Sequence, residues 1–212
     1  MLDQKTVREF IGELGSNSPA PGGGSVAAFG SSLSSALCAM VFNLTVDKKV
    51  YNAYSEEDKM IVDKNLEQCL NHKEEFLDLM NSDAEVFLNL MSAFKLPKQS
   101  DEEKKIRSQK IQEGYKAALE IPLKVAEESY KIYMHVKIAA ELGNKNAISD
   151  AGVAALMLQA SIESAILNVK INLSSIKDET YKDEITSKCK QLVKCGREKR
   201  DEVLAIVNDS II

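Results

Sequence analysis

Apolar residues recur every three or four positions along almost the whole chain, and no segment alternates apolar and polar residues for long enough to form a strand. This periodicity predicts an all-α fold, a bundle of about six helices. The segments between the helices are short, which favours antiparallel neighbours. With 212 residues, of which 44% are hydrophobic and 28% charged, the chain is expected to form a single globular domain over residues 1–212.

Capping residues, glycines and prolines set the expected helix ends. Gly15 and Gly143 follow helical segments, and Ser55 and Ser100 are suited to begin them. Pro122 lies inside the longest segment and lacks a backbone N–H, so we expect this helix to kink or restart there. The expected helices cover about 7–14, 23–46, 56–94, 101–142, 147–173 and 178–208.

Two of these helices are almost free of charge. No charged residue occurs from Leu14 to Val46, and only Glu163 and Lys170 occur from Ala151 to Leu173. Such stretches are long enough to raise the question of a membrane span. Their many serines and alanines argue against a span, because small residues allow helix axes to approach closely. We therefore expect two central helices, packed against each other or across a subunit interface, and no membrane.

Composition also narrows the function classes. The net charge of −5 disfavours a protein that binds nucleic acid by neutralising phosphates. The four cysteines form no CxxC pair, and the chain does not begin like a secretory signal, so we expect reduced thiols in a cytoplasmic protein. His72 and His135 lack a second histidine or cysteine at ligand spacing, which predicts no metal site.

The sequence SNSPAPGGGSVAA at residues 16–28 raises a specific question, because three consecutive glycines precede an uncharged helix. A nucleotide-binding P-loop would need a preceding strand and a lysine beside the terminal serine or threonine, and this segment has neither. What remains is a helix start whose bare N–H groups and positive dipole end suit an anion or the polar edge of a ligand. The alternative is that the glycines only allow close packing.

Residues 16–28, followed by Asn43-Leu44-Thr45, resemble the start of the cyclodeaminase/cyclohydrolase family. That family includes the C-terminal domain of formiminotransferase-cyclodeaminase and stand-alone methenyltetrahydrofolate cyclohydrolases. The stretch 44–51 is similar to the family's Leu-Thr-x-Gly-basic-Lys-Lys-Tyr segment, with Asp47 at the glycine and Val50 at the last lysine.

Further segments of the same family follow in order. Residues 83–87 and then Leu96-Pro97 resemble the Asp-x-x-Ala-Phe and Leu-Pro elements, with Val86 in place of alanine. Residues 144–151 and 168–172 resemble its second signature. The resemblance covers residues 5 to 175.

The resemblance implies an all-helical homodimer that acts on one-carbon derivatives of tetrahydrofolate near the subunit interface, with no cofactor beyond this substrate. One family reaction hydrolyses 5,10-methenyltetrahydrofolate to 10-formyltetrahydrofolate. The other, a cyclodeaminase reaction, converts 5-formiminotetrahydrofolate to 5,10-methenyltetrahydrofolate and ammonia. We expect the cyclohydrolase, because the chain carries no formimino-transferring domain, and keep the cyclodeaminase as the alternative.

Both reactions pass through a tetrahedral carbon. One proton is removed from the attacking group and another is delivered to the departing nitrogen, and a single carboxylate can do both. The resemblance assigns this catalytic role to Asp83, which from the sequence alone is one of several acids that could simply be solvated. It also implies that the glycine turn lies beside the folate and directs backbone N–H donors at it. The residues of this turn are Gly22, Gly23, Gly24 and Ser25.

Five other polar residues are expected to bind the substrate. Lys48 and Lys49 are suited to hold the glutamate carboxylates of the folate tail, including those of polyglutamylated forms, or are ordinary solvated lysines. Asn43, Asn144 and Asp150 carry groups suited to the donor and acceptor edge of the pterin. Asp150 alternatively caps the helix that it begins.

Two hypotheses outside enzymology stay open. A non-catalytic bundle could bind a folate-like ligand or a partner protein through the same surface. A purely structural bundle would use the glycines only for packing.

Overall fold

The computed structural model describes residues 1–211, and within that range the chain forms seven α-helices and no β-strand. The all-α prediction is confirmed. The helices are α1 (Val7–Leu14), α2 (Gly23–Asn43), α3 (Lys49–Asn52), α4 (Glu56–Ala93), α5 (Asp101–Leu142), α6 (Ile148–Leu173) and α7 (Glu179–Ile211). The single turn of α3 is additional to the six expected helices.

The expected start signals form real caps. The Ser55 hydroxyl accepts from the backbone N–H of Asp58 at 3.1 Å and begins α4. At the start of α5, Ser100 and Glu103 form a reciprocal capping box. The second helix ends at Asn43 rather than near Val46, because the N–H groups of Thr45 and Val46 both converge on the carbonyl of Phe42 and tighten the chain into turns.

Helices α2 and α6 form the centre of the bundle, which confirms the expectation of two small-residue central helices. α2 packs on α4 and α6, and α6 packs also on α5 and α7. A Cβ atom on Gly30 of α2 would lie 2.4 Å from the Ser161 hydroxyl of α6, so the two axes approach closely. The buried serines find partners, as when the Ser34 hydroxyl donates to the carbonyl of Ala154 at 2.8 Å.

The segments Gly23–Asn43 and Lys145–Leu173 are long and apolar enough to cross a membrane by length and composition. In the most apolar part of each, 61% and 56% of the residues respectively are buried inside the bundle. Their apolar character is therefore used largely for packing within the fold.

Pro122 lies inside α5, which continues through it as one helix of 42 residues and does not restart. Helix α5 therefore reaches from the loop after α4 to Gly143, and it packs on both central helices. The carbonyl that the proline leaves unpaired belongs to Ala118, and Asn172 of α6 donates to it at 3.0 Å.

Candidate active site

A cavity of about 450 Å³ opens at the N-terminal end of α2. The glycine turn, residues 22–24, forms one wall, and α4, α5 and the C-terminal half of α6 form the others. Its polar side chains from the helices include Asp83, Asn168 and Asn172. The sequence places these residues far apart, and the bundle brings them to one end of α2.

Asp83 projects from the C-terminal half of α4 onto the first turn of α2. Its Oδ2 accepts from the Ser25 hydroxyl at 2.8 Å. A Cβ atom on Gly24 would lie 2.1 Å from the other carboxylate oxygen, so no side chain fits at this position while Asp83 stays in place. Gly22, the N-cap residue, supplies no side-chain cap, and the carboxylate of Asp83 takes up that position instead.

Two opposing effects set the pKa of Asp83. Burial in the cavity wall raises the pKa above its ordinary value of 3.8 by disfavouring the charged form. Hydrogen bonds from the hydroxyl and backbone of Ser25 lower the pKa, but burial is the larger effect. A carboxyl group with a raised pKa is suited both to accept a proton and to return it.

Asn168 and Asn172 lie one helical turn apart on α6, and both line the cavity. A Cβ atom on Gly23 would lie 3.2 Å from Nδ2 of Asn168, so this asparagine stands directly over the turn. Neither was predicted as a binding residue, although both lie in the segment 168–172 that resembles the family's second signature. Their i, i+4 spacing was the available signal, because it places both amides on one face of the helix.

The remaining wall is apolar and aromatic. Phe87, Leu90, Met91 and Phe94 follow one another on the same face of α4. The rings of Phe94 and Tyr115 meet edge to face, with centroids 6.0 Å apart. Phe87 and Phe94 each remain 37% exposed. Exposed aromatic faces beside a cavity are typical of a slot for a flat ring system.

Asn43, Lys48 and Lys49 lie at the opposite end of α2. All three are exposed, and none lines the cavity. Because α2 has 21 residues, its two ends are about 30 Å apart. The structure therefore does not bring these residues to Asp83 within one chain, and their binding roles stay predictions.

Asn144 is also at that end, where its hydrogen bonds hold the fold together. Its backbone N–H donates to the Thr45 hydroxyl and its Nδ2 to the carbonyl of Leu44, both at 2.8 Å. Its Oδ1 accepts from the N–H of Asn146 at 3.0 Å. Asp150 lies in the first turn of α6, where a negative charge favours the helix start. Neither residue lines the cavity.

Asp47 gives a backbone reason for the glycine that the family carries at this position. Its φ is 60°, in the left-handed region that glycine adopts freely and that aspartate tolerates better than most residues. The difference from the family therefore concerns a turn of the backbone.

The two histidines lie in the interior between α4 and α5, away from the cavity. Their rings are 5.7 Å apart, and Nδ1 of His135 is 2.6 Å from Oδ1 of Asn65. Burial lowers the pKa of His135 to about 4, with a smaller contribution from His72. Across residues 1–211, no three His, Cys, Asp or Glu side chains are grouped in a way that could hold a metal ion.

Comparisons with known proteins show which family the chain is similar to. A family model described as formiminotransferase-cyclodeaminase matches residues 6–191. A methenyltetrahydrofolate cyclohydrolase of Methylorubrum extorquens is 38% identical over 184 residues, which cover 87% of this chain and 86% of that protein.

Longer relatives match only through part of their length. A formimidoyltransferase-cyclodeaminase of Gallus gallus is 33% identical over 97% of this chain, and the match covers only 37% of that protein. The crystal structure of a formiminotetrahydrofolate cyclodeaminase of Thermotoga maritima aligns with a TM-score of 0.86 at 26% identity, covering 100% of both chains.

Proposed function

This chain belongs to the formiminotransferase-cyclodeaminase family, and from that premise we propose that it hydrolyses 5,10-methenyltetrahydrofolate to 10-formyltetrahydrofolate. The observation that carries the proposal is the placement of Asp83, a largely buried carboxyl group with a raised pKa that faces an aromatic-lined cavity. The cyclohydrolase of similar length supports this reaction over its alternative.

The first step is the addition of water to the cationic carbon that bridges N5 and N10. The Asp83 carboxylate takes one proton from the attacking water, and the water oxygen bonds to the carbon, which becomes tetrahedral and uncharged. Before this step the negative carboxylate attracts the delocalised positive charge of the substrate. A charge interaction in a cavity shielded from water is stronger than the same interaction in solvent.

In the second step the protonated Asp83 returns its proton to N5, and the bond between the carbon and N5 breaks. The hydroxyl proton on the carbon leaves to solvent, and the formyl group remains on N10. One water is consumed and one proton is released overall. The hydrogen bond from Ser25 orients the carboxylate through both steps.

The second candidate is the cyclodeaminase reaction, which the full-length structural likeness to a formiminotetrahydrofolate cyclodeaminase favours. Here N10 adds to the formimino carbon and ammonia leaves. The same carboxylate would remove the N10 proton and deliver one to the departing nitrogen. The two candidates therefore share Asp83 and differ in the nucleophile.

Steady-state assays of both conversions with purified protein test these proposals. Formation of 10-formyltetrahydrofolate from the methenyl compound, above the uncatalysed rate, supports the first. Release of ammonia from 5-formiminotetrahydrofolate supports the second. If folate binds tightly but neither reaction proceeds at high protein concentration, the chain is a binding protein and both enzyme proposals fail.

The proposal extends to a homodimer. The outer face of α6 carries four apolar side chains that are 45 to 69% exposed, Val153, Leu156, Leu167 and Ile171. Large apolar patches on a soluble protein mark contact surfaces. Ile171 also lines the cavity, so a second copy on this face would border the substrate. Light scattering of the protein and of a Leu167→Glu variant tests this, since the variant should be monomeric.

Lys48 and Lys49 stay candidates for the carboxylates of a polyglutamylated tail. Their separation from Asp83 within one chain means that a long tail, or a second copy of the chain, has to bring the two together. Affinity for mono- and pentaglutamylated substrate tests the proposal, because only the longer form should bind more weakly when both lysines are replaced by alanine.

A further inference from the structure

The proline inside α5 changes the hydrogen bonding of α6. Pro122 has no N–H, so the carbonyl of Ala118, four residues earlier, has no partner within the helix. Ala118 is only 5% exposed, and a buried carbonyl without a partner is unfavourable. Nδ2 of Asn172 donates to this oxygen at 3.0 Å.

The second N–H of the same amide is also used. Nδ2 of Asn172 donates to the carbonyl of Asn168 at 2.9 Å. Since both partners are carbonyl oxygens, only the NH₂ group of the amide can face them, and the orientation of the side chain is fixed. Within residues 1–211 no group donates to Oδ1 of Asn172, and the residue lines the cavity. The amide therefore offers the cavity an acceptor only.

The position of this acceptor relates it to the catalytic end of the cavity. Asn168 stands over Gly23, while Asp83 packs against Gly24, so the two side chains contact neighbouring positions of the same turn. Asn172 lies one helical turn, about 6 Å, further along α6. A ligand whose reacting carbon is beside Asp83 would extend its ring along the asparagines.

We propose that Asn172 is a specificity-determining residue that accepts a hydrogen bond from the exocyclic amino group of the reduced pterin, and that Pro122 positions it. This rests on the proposed folate substrate. The amino group projects beyond the ring edge and is a donor, which matches a fixed acceptor. Asn172 is half-buried, and once a ring covers it the acceptor no longer reaches water, so a ring that lacks the donor leaves the acceptor unpaired and binds more weakly.

Binding measurements test the proposal without requiring turnover. Calorimetry compares 5-formyltetrahydrofolate with its analogue in which a methyl group replaces the 2-amino group. We expect Asn172→Ala to weaken binding of the first by roughly 10- to 100-fold and to leave binding of the analogue almost unchanged. Asn71→Ala, at an exposed helical asparagine of α4, is the matched control and should alter neither.

A double variant separates recognition from folding. Pro122→Ala restores an N–H that can pair with the carbonyl of Ala118, so combining it with Asn172→Ala removes the acceptor without leaving that carbonyl unpaired. We expect the double variant to regain the melting temperature of the parent and to keep the selective loss of affinity. Pro122→Ala alone should weaken binding of the amino ligand a few-fold, because the new N–H competes with Asn172, whereas Pro97→Ala at an exposed loop proline should not.

The outcomes are distinct. Equal losses for both ligands, or recovery of affinity in the double variant, would give Asn172 a structural role and overturn the proposal. If the parent protein binds neither ligand, the folate function itself fails and this inference fails with it. If the parent binds both ligands equally well, the function stands and the recognition role alone is wrong.

Discussion

Similar polar residues from other segments lie at the two ends of α2, but their hydrogen bonds differ. At the C-terminal end, the amide N–H, the amide oxygen and the backbone N–H of Asn144 all form hydrogen bonds with neighbouring loops. At the N-terminal end, Asn172 and Asp83 keep acceptors directed at a cavity, and no side chain of Gly22 caps the helix. Donors and acceptors that are paired within the fold have a structural role. Those that stay unpaired beside a cavity are available to a ligand.

The largest expected effect comes from Asp83→Asn, which keeps the size of the side chain and removes its acid-base function. We expect kcat to fall by about 10²- to 10⁴-fold. The melting temperature should not fall, because the raised pKa of Asp83 means that the folded state disfavours the ionised form. Steady-state kinetics and calorimetric melting measure the two effects. Retention of most of the rate would remove Asp83 from the mechanism.

Gly24→Ala tests whether the glycine turn leaves the space that the Asp83 carboxylate occupies. The new methyl group would overlap Asp83, so the carboxylate has to rotate away, and we expect kcat/KM to fall by about 10²-fold. Gly22→Ala is the matched control, since nothing lies within 4 Å of a Cβ atom there. Similar losses in both variants would show that the turn tolerates no side chain for reasons unrelated to Asp83.

Asn144→Ala should have the opposite signature. It removes the bonds to Leu44 and Asn146, and we expect a loss of about 1–3 kcal/mol in the free energy of unfolding. The rate per folded molecule should stay close to that of the parent. Denaturant titration and active-site-normalised kinetics check this. A specific rise in KM at unchanged stability would instead return Asn144 to the binding site.

Acid pH should affect the interior and the cavity separately. The pKa of His135 is about 4 in the folded protein and about 6.5 when unfolded. Between these two pH values the unfolded state binds a proton that the folded state does not. Stability is therefore lost as pH falls from about 6.5 towards 4, by several degrees in melting temperature, on the order of 5 °C. In His135→Gln this pH dependence should shrink, while the activity loss due to protonation of Asp83 remains. Unchanged pH dependence in the variant would contradict this assignment.

The smallest effect is expected from Lys48→Ala combined with Lys49→Ala. Both lysines are exposed and far from Asp83 within the chain, so kcat/KM for a monoglutamate substrate should change by no more than about twofold. A tenfold loss with that substrate would mean that a second copy brings these lysines to the cavity, and the two ends of α2 would then form one site.

Much of the fold followed from local sequence signals. Helical periodicity predicted the class, and Ser55 and Ser100 marked helix starts that the structure has. The one-turn helix α3 was not predicted, because four residues are too few to show a helical periodicity. The family resemblance is confirmed by the match over residues 6–191 and placed Asp83 among the candidates, but the acid had no local feature to distinguish it from others.

The sequence by itself determined what is local: helical segments, their caps, the two uncharged helices and a glycine turn without nucleotide-binding chemistry. Only the tertiary structure decided which polar groups remain open, because hydrogen-bond partners come from distant segments. The Ser25 hydroxyl donates to Asp83, which is 58 positions away in the sequence. Nδ2 of Asn172 donates to the carbonyl of Ala118, 54 positions away, and Nδ2 of Asn144 donates to the carbonyl of Leu44, 100 positions away. Spacing along a helix shows which face a side chain takes, whereas packing alone shows whether that face meets a carbonyl or a cavity.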